Sequence, residues 1–186
     1  PRRAVVFAAS AAGEHGFEGA TALATALPRS AGRIVSALGL HELNVWAPTH
    51  DVAVIGGELS TLGSIMRESA RAEQLEVVAD PWPELGSLYD SDVLPFAVAG
   101  VPVVLLGPGT RSPEGRPPVV ELVAQYRSNR RHQPSDQVLE AMTMAGALQQ
   151  LRILARAAWH LASDLSRPDW LPGAEFGGAA SPGPIR

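Results

Sequence analysis

Short β-rich runs alternate with helical patterns along this chain, and this alternation restricts the fold more than any other feature. Apolar runs recur with turn signals around them, and helical spacing fills the gaps. This order is typical of βαβ units, which build a largely parallel sheet with helices on its faces. Strands are predicted near residues 4–9, 33–38, 51–55, 75–78 and 102–106.

Helices are predicted between these strands. Ser60 is a suitable cap for a helix over residues 60–74, in which Leu62 and Met66 follow helical spacing. The longest predicted helix covers residues 137–165, with Asp136 as its cap and an apolar stripe broad enough to lie on a sheet. Two further helices are predicted over residues 17–27, ending before Pro28, and over residues 91–99.

The sequence predicts one domain followed by an irregular tail. Residues 167–186 contain four prolines, too many helix breakers for regular structure, so the domain is placed at 1–166 and the tail at 167–186. A hydrophobic fraction of 46% over 186 residues is enough for a core. The stretch 107–118, also rich in proline and glycine, is predicted to be a loop within the domain.

Composition excludes several classes of function. A net charge of −4 gives no electrostatic footprint for nucleic acid, and no apolar run approaches the roughly 20 residues of a membrane span. The chain has no cysteine, so any metal ion must be held by His, Asp or Glu. The compartment stays open on these grounds.

Polar residues cluster where predicted strands end, which is where open α/β sheets place their sites. Each cluster also has an ordinary interpretation: Glu14 as a solvated loop carboxylate, and His132 as a polar residue before a helix. The clusters lie at residues 12–16, 41–46, 89–93 and 131–136.

Five segments in fixed order carry a family resemblance. They read AGEHGFEG at 12–19, GLHELNVW at 39–46, SDVLPFAVAGVP at 91–102, RHQPSD at 131–136 and PDWLPGAEF at 168–176. These are similar to the patterns AEExGxxG, NxDGLNVW, SDHxxFxxxGxP, YHxPxD and PxWxxGxEF. The chain therefore resembles the bacterial di-zinc aminopeptidases, relatives of glutaminyl cyclase and of the transferrin-receptor ectodomain.

The resemblance implies a three-layer α/β fold, with a mostly parallel central sheet flanked by helices. In the family further strands lie upstream, so the sheet is expected to be incomplete at its amino-terminal side. A companion segment or chain is then expected to supply the amino-terminal half of the domain. Bacterial relatives are commonly exported, which implies an exported or cell-envelope location.

The resemblance also implies which residues form the site. In the family two zinc ions share a water molecule, a glutamate acts as general base, and His and carboxylate side chains hold the metals. Carried over by position, the metal ligands are Glu14, His41 in place of an aspartate, and His132. The base position is Gly13, which has no side chain. This chain alone would then hold at most one zinc ion, and a chain without bound zinc is the alternative expectation.

Other positions around that site also depart from the family. Val93 replaces a histidine beside the site, and Arg131 replaces a tyrosine, so an arginine is expected near the metal position. Asp92 or Asp136 is expected to supply outer hydrogen bonds to the ligands. Trp46 and the three other tryptophans, Trp82, Trp159 and Trp170, are interpreted as packing anchors, with an aromatic substrate pocket as the alternative.

Three functional hypotheses follow. The first is a degenerate relative that keeps the fold for assembly or for binding a peptide and has lost hydrolysis. The second is an active zinc aminopeptidase that cleaves amino-terminal peptide bonds, completed by a segment outside this chain, with His15 or Glu42 compensating for the altered residues. The third is an unrelated α/β binding domain whose motifs match by coincidence.

Overall fold

A four-stranded mixed sheet forms the centre of the computed structural model, which describes residues 1–40 and 42–178, with the backbone alone for 28–31. Its strands are β1 (Ala37–Leu40), β2 (Asp51–Ile55), β3 (Glu76–Val78) and β4 (Val103–Gly107), in the order β1-β4-β2-β3. The β1–β4 and β2–β3 pairs are parallel, and the β2–β4 pair is antiparallel. The mostly parallel sheet predicted from the sequence is therefore confirmed, with one antiparallel pairing at its centre.

Helices cover both faces of this sheet, as the α/β prediction requires. The helices are α1 (Glu18–Ala31), α2 (Leu62–Ala72), α3 (Leu94–Val98), α4 (Val119–Asn129) and α5 (Ala145–Ser163). Strand β4 shows the two faces: Val104 and Leu106 pack with α2 and α5, whereas Val103 and Leu105 pack with α3. Because side chains alternate along a strand, a run of five buried residues in β4 requires apolar cover on both sides.

Several predicted boundaries are wrong. Helix α1 does not end before Pro28 but continues to Ala31, because an interior proline removes one helical hydrogen bond without necessarily ending the helix. The long helix begins at Ala145 rather than near Gln137, and Asp136 is not its cap. Residues 33–38 were predicted as a strand, but β1 begins only at Ala37.

The predicted strand over residues 4–9 is also wrong. This segment has no strand partner among the described residues, and its apolar side chains are exposed, with Val5 at 45%, Val6 at 54% and Phe7 at 94%. Residues before it are held at the end of α5, where Arg3 donates hydrogen bonds to the carbonyls of Leu161 and Asp164 at 2.6 and 2.8 Å. Strand β1 lies at the edge of the sheet, and no described residue pairs with its outer side.

Two adjacent glutamines of α5 hold the loop that follows β1. Gln150 is 2% exposed; it accepts a hydrogen bond from the Asn44 backbone N–H at 2.8 Å and donates one to the Glu42 carbonyl at 3.2 Å. Gln149 exchanges hydrogen bonds with the backbone of Thr49 at 3.0 and 3.1 Å. These contacts satisfy loop backbone groups that would otherwise be buried without partners.

The first part of the tail packs against the domain without forming an α-helix. Trp170 pairs with Ser60 in an isolated bridge and donates its indole N–H to the Gly100 carbonyl at 3.1 Å. Phe176 is buried at 8% exposure beside Trp170, their ring centroids 5.6 Å apart. The domain division at residue 166 stays a prediction. Within the part of the chain described, no helix is long and apolar enough to cross a bilayer.

Candidate functional site

Glu14 lies in a short 3₁₀ helix (Gly13–His15) directly before α1. Ala12 and Phe17, on either side of this turn, both adopt left-handed backbone conformations, with φ of 60° and 58°. Such conformations are uncommon for residues with a side chain, and they cluster at functional sites. The turn leaves the Glu14 side chain 78% exposed.

His132 meets Glu14 across the loop that follows α4. The His132 Nε2 atom lies 3.4 Å from Glu14 Oε1, although 118 residues separate them in sequence (132 − 14). Two neighbouring ligands of a tetrahedral zinc ion, each about 2.0–2.1 Å from the metal, lie about 3.3 Å apart. The pair therefore has the separation that one shared metal ion would require.

Asp136 holds the loop that carries His132. Its carboxylate accepts a hydrogen bond from the Tyr126 hydroxyl at 2.6 Å and one from the His132 backbone N–H at 3.2 Å. These two bonds hold the pKa of Asp136 below its usual range, and the bond from Tyr126 has the larger effect. His132 has a φ of 63°, so the loop keeps an uncommon backbone conformation that Asp136 helps to stabilise.

Gly13, the predicted base position, lies near Asp92, which the sequence predicts to supply outer hydrogen bonds. A Cβ atom built on Gly13 would have Asp92 Oδ1 as its nearest neighbour, at 4.0 Å. That oxygen is buried and has no hydrogen-bond partner among residues 1–40 and 42–178. An acceptor that is buried without a donor is costly, so a donor group in this space would be favourable.

Glu42, which the active hypothesis treats as a compensating residue, is engaged by two arginines. Arg127 of α4 donates from Nε to Glu42 Oε1 at 3.1 Å and forms a second, short bond from Nη2 to Oε2. Arg131, the residue before His132, places Nη1 3.8 Å from Glu42 Oε1. In this arrangement the Glu42 carboxylate is therefore the ion-pair partner of two arginines.

The predicted site residues are only partly brought together. Glu14 meets His132, and Arg131 approaches Glu42, next to position 41; His41 itself lies outside the described residues. Asp136 contacts the backbone of His132 rather than its ring. No group of three His, Asp or Glu side chains in the described chain could hold a metal ion.

From the sequence, the arginine cluster at 127, 130 and 131 with Tyr126 is interpreted as a solvated loop, with engagement of a carboxylate or phosphate as the alternative. The structure places Tyr126 and Arg127 in α4, a helix that was not predicted. The pattern of Val119, Val123 and Arg127 along one helical face was a usable signal, since Val119 and Val123 are buried. Trp46 and Trp82 pack against this helix: Trp46 meets the Tyr126 ring edge-on at 5.8 Å, and Trp82 lies 4.2 Å from the Arg127 guanidinium. Trp159, at 64% exposure, is not the predicted packing anchor.

Glu14 and His132 fit one zinc ion as two of its ligands, on the 3.4 Å separation and the donor types alone. A zinc ion bound there would supply Lewis-acid polarisation of a peptide carbonyl. The chain's own contribution would be to hold the Glu14 carboxylate and the His132 ring at that separation, with Asp136 bound to the His132 backbone.

Comparison with known proteins agrees with this architecture. The sequence model of a family described as Peptidase family M28 matches residues 1–163. No significant match was found among curated proteins or among solved structures. That family is generally zinc-dependent and shares its superfamily with glutaminyl cyclase and the transferrin receptor. The mixed sheet flanked by helices is consistent with its fold, and the chain belongs to peptidase family M28.

Proposed function

We propose that this peptidase-like domain is catalytically impaired and is retained for assembly or for binding a peptide. The observation that carries the proposal is Gly13, which has no side chain at the position where the family pattern has its general base. Loss of a general base alone lowers rates by roughly 10²–10⁴-fold. The family's acidic ligand is replaced by His41 and its nearby histidine by Val93, and both changes are expected to lower the rate of hydrolysis further.

Zinc content and hydrolysis of an amino-acid anilide test this proposal. We expect the dialysed protein to hold fewer than two zinc ions per chain, and its hydrolysis to equal that of Glu14→Ala. Glu18→Ala, an exposed carboxylate four residues further on, is the matched control. Two zinc ions per chain, with hydrolysis that disappears in Glu14→Ala and persists in Glu18→Ala, would instead establish the active aminopeptidase.

A companion segment or chain is the second part of the proposal. Residues 4–9 expose Val5, Val6 and Phe7, and the outer edge of β1 is unpaired within residues 1–40 and 42–178; both features favour association with further β-structure. The proposed companion supplies the strands that cover this side of the sheet and the remaining metal ligands of the family.

Self-association of the isolated chain tests whether these apolar residues need a companion to cover them. The 186-residue chain is expected to self-associate in light scattering, and Phe7→Ser is expected to reduce that association. Val138→Ser is the control, because Val138 is 90% exposed but lies outside this segment. A monomeric native chain with a single cooperative melting transition would contradict the need for a companion.

A further inference from the structure

A narrow cleft lies beside the Glu42–Arg127 pair, near the ends of β2 and β4. It has a volume of about 10 Å³, comparable with the space of one water-sized group. Its apolar wall includes Ile55, Trp82 and Leu105, and its polar wall includes Glu42, Asp80 and Arg127. We call this space the Arg127 cleft.

Arg127, which lines the cleft, has one donor without a partner among the described residues. Arg127 uses Nε and Nη2 to bind Glu42, but its Nη1 is buried and has no hydrogen-bond partner in the described part of the chain. The side chain is 15% exposed and stacks on Trp82, with Cζ 4.2 Å from the ring centroid, so the guanidinium has little freedom to turn toward solvent. A buried charged donor left without an acceptor is destabilising, so an acceptor atom in this space would be bound favourably.

The charges around the cleft favour a neutral ligand group. Arg127 and Arg131 carry two positive charges, and Glu42 and Asp80 carry two negative charges. A carboxylate or phosphate would gain attraction from the arginines but would be repelled by Glu42, and an ammonium group would face Arg127. A small group that both accepts and donates a hydrogen bond fits this balance, and the size of the cleft limits it to about one polar heavy atom.

We infer that the Arg127 cleft binds the hydroxyl group of a seryl-type residue, with Arg127 Nη1 donating to the hydroxyl oxygen. Asp80 lies in the same wall; its Oδ1 already accepts the Trp82 backbone N–H at 2.9 Å, and its second oxygen is the candidate acceptor for the hydroxyl proton. The apolar wall contacts the adjoining methylene group. That this hydroxyl belongs to a bound amino acid or peptide rests on the proposed peptide-binding function.

Paired amino-acid amides test this inference by calorimetry. L-serinamide and L-2-aminobutyramide have the same shape, but the second has a methyl group in place of the hydroxyl. We expect L-serinamide to bind roughly tenfold or more tightly, because the analogue leaves the buried guanidinium donor unpaired. Arg127→Lys keeps a positive charge beside Glu42 but lacks Nη1, and it is expected to reduce the preference to about onefold.

Arg130→Lys is the matched control, since Arg130 is half-exposed on the neighbouring loop and its side chain donates a hydrogen bond to the Ser135 carbonyl at 3.2 Å. It should keep the preference for L-serinamide. Equal binding of the two amides by the native protein, or binding of neither, would overturn the inference even if Arg127→Lys failed to fold. Hydrolysis does not enter this test, so its outcome is independent of whether the domain is catalytically impaired.

Discussion

Gly13→Glu together with His41→Asp is expected to create measurable hydrolysis of an amino-acid anilide in zinc, at least about 100-fold above either single change. The assay requires the domain with its proposed companion, which supplies the family's other ligands. The local structure accepts the first change: Gly13 has no left-handed φ, and a Cβ there would meet only Asp92 Oδ1, at 4.0 Å. Neither change alone restores both the base and the acidic ligand, and such groups act as a unit.

The nearby Asp92 carboxylate gives this prediction a pH signature. A like charge disfavours ionisation, so Asp92 should raise the pKa of the carboxyl group introduced by Gly13→Glu, which suits a general base. Adding Asp92→Asn removes that charge and should shift the acid limb of the rate profile to lower pH. An acid limb that stays in place would exclude this electrostatic coupling.

Gly13→Gln with His41→Asp is the matched control, because glutamine has the shape of glutamate without its basicity. It should bind zinc as the restored protein does and remain inactive. A Gly13→Glu, His41→Asp protein that binds zinc and stays inert would contradict the expected restoration of hydrolysis. Substrate access, blocked near Val93 or Arg131, would then be the cause to test.

Asp51→Ala is expected to lower the free energy of unfolding by about 3 kcal/mol, the largest stability effect expected here from one side chain. The Asp51 side chain is fully buried at the start of β2, where it anchors the loop that follows β4. Its carboxylate accepts the backbone N–H groups of Thr110 and Arg111 at 2.8 and 3.0 Å and the Thr110 hydroxyl at 2.6 Å. Removing it leaves these donors without their acceptor.

The effect should depend on pH in a defined direction. Burial acts to raise the pKa of Asp51, but the Thr110 and Arg111 hydrogen bonds outweigh it and hold that pKa below the usual range. A carboxyl group with a lowered native pKa stabilises the fold above its unfolded pKa, and this stability is lost as the pH falls through the native pKa. The difference between the native protein and Asp51→Ala should therefore be full at pH 7 and shrink below the usual carboxyl pKa.

Urea unfolding at pH 7 and at a pH below the usual carboxyl pKa measures the difference in unfolding free energy between the two proteins. An unchanged dependence of that free energy on urea concentration would indicate that only stability has changed. Asp90→Ala is the control, since Asp90 is exposed and should change the unfolding free energy by less than about 0.5 kcal/mol. An equally small change for Asp51→Ala would contradict the anchoring role. Gly109 supports that role, because a Cβ there would lie 2.4 Å from Asp51 Oδ1.

Local sequence patterns were sufficient for much of the fold. Strand β2 was predicted with the bounds that the structure has, because its apolar residues are continuous and bounded by turn signals. The ordered motifs were sufficient for the family, and they singled out Glu14 and His132, which the structure places 3.4 Å apart. Their roles as metal ligands remain predictions.

The sequence did not predict which groups donate hydrogen bonds to the Asp136 carboxylate. A carboxylate before a helical pattern is typical of a cap, yet Tyr126 and the His132 backbone are the donors that it meets. Residues 4–9 likewise have the composition of a strand, but a strand also needs a partner edge, and β1 does not provide one to them in this fold.

The sequence by itself determined the alternation of strands and helices, the family, and the missing side chain at Gly13, because these depend on residue type and local order. Only the tertiary structure decided that Arg127 binds Glu42, stacks on Trp82 and keeps one donor without a partner in the part of the chain that the structure describes. Those contacts join α4 to loops after β1 and β3, and no local pattern encodes which distant groups share a cleft. Long-range packing sets that geometry, since each buried polar group must find its partner among the residues that the fold brings near.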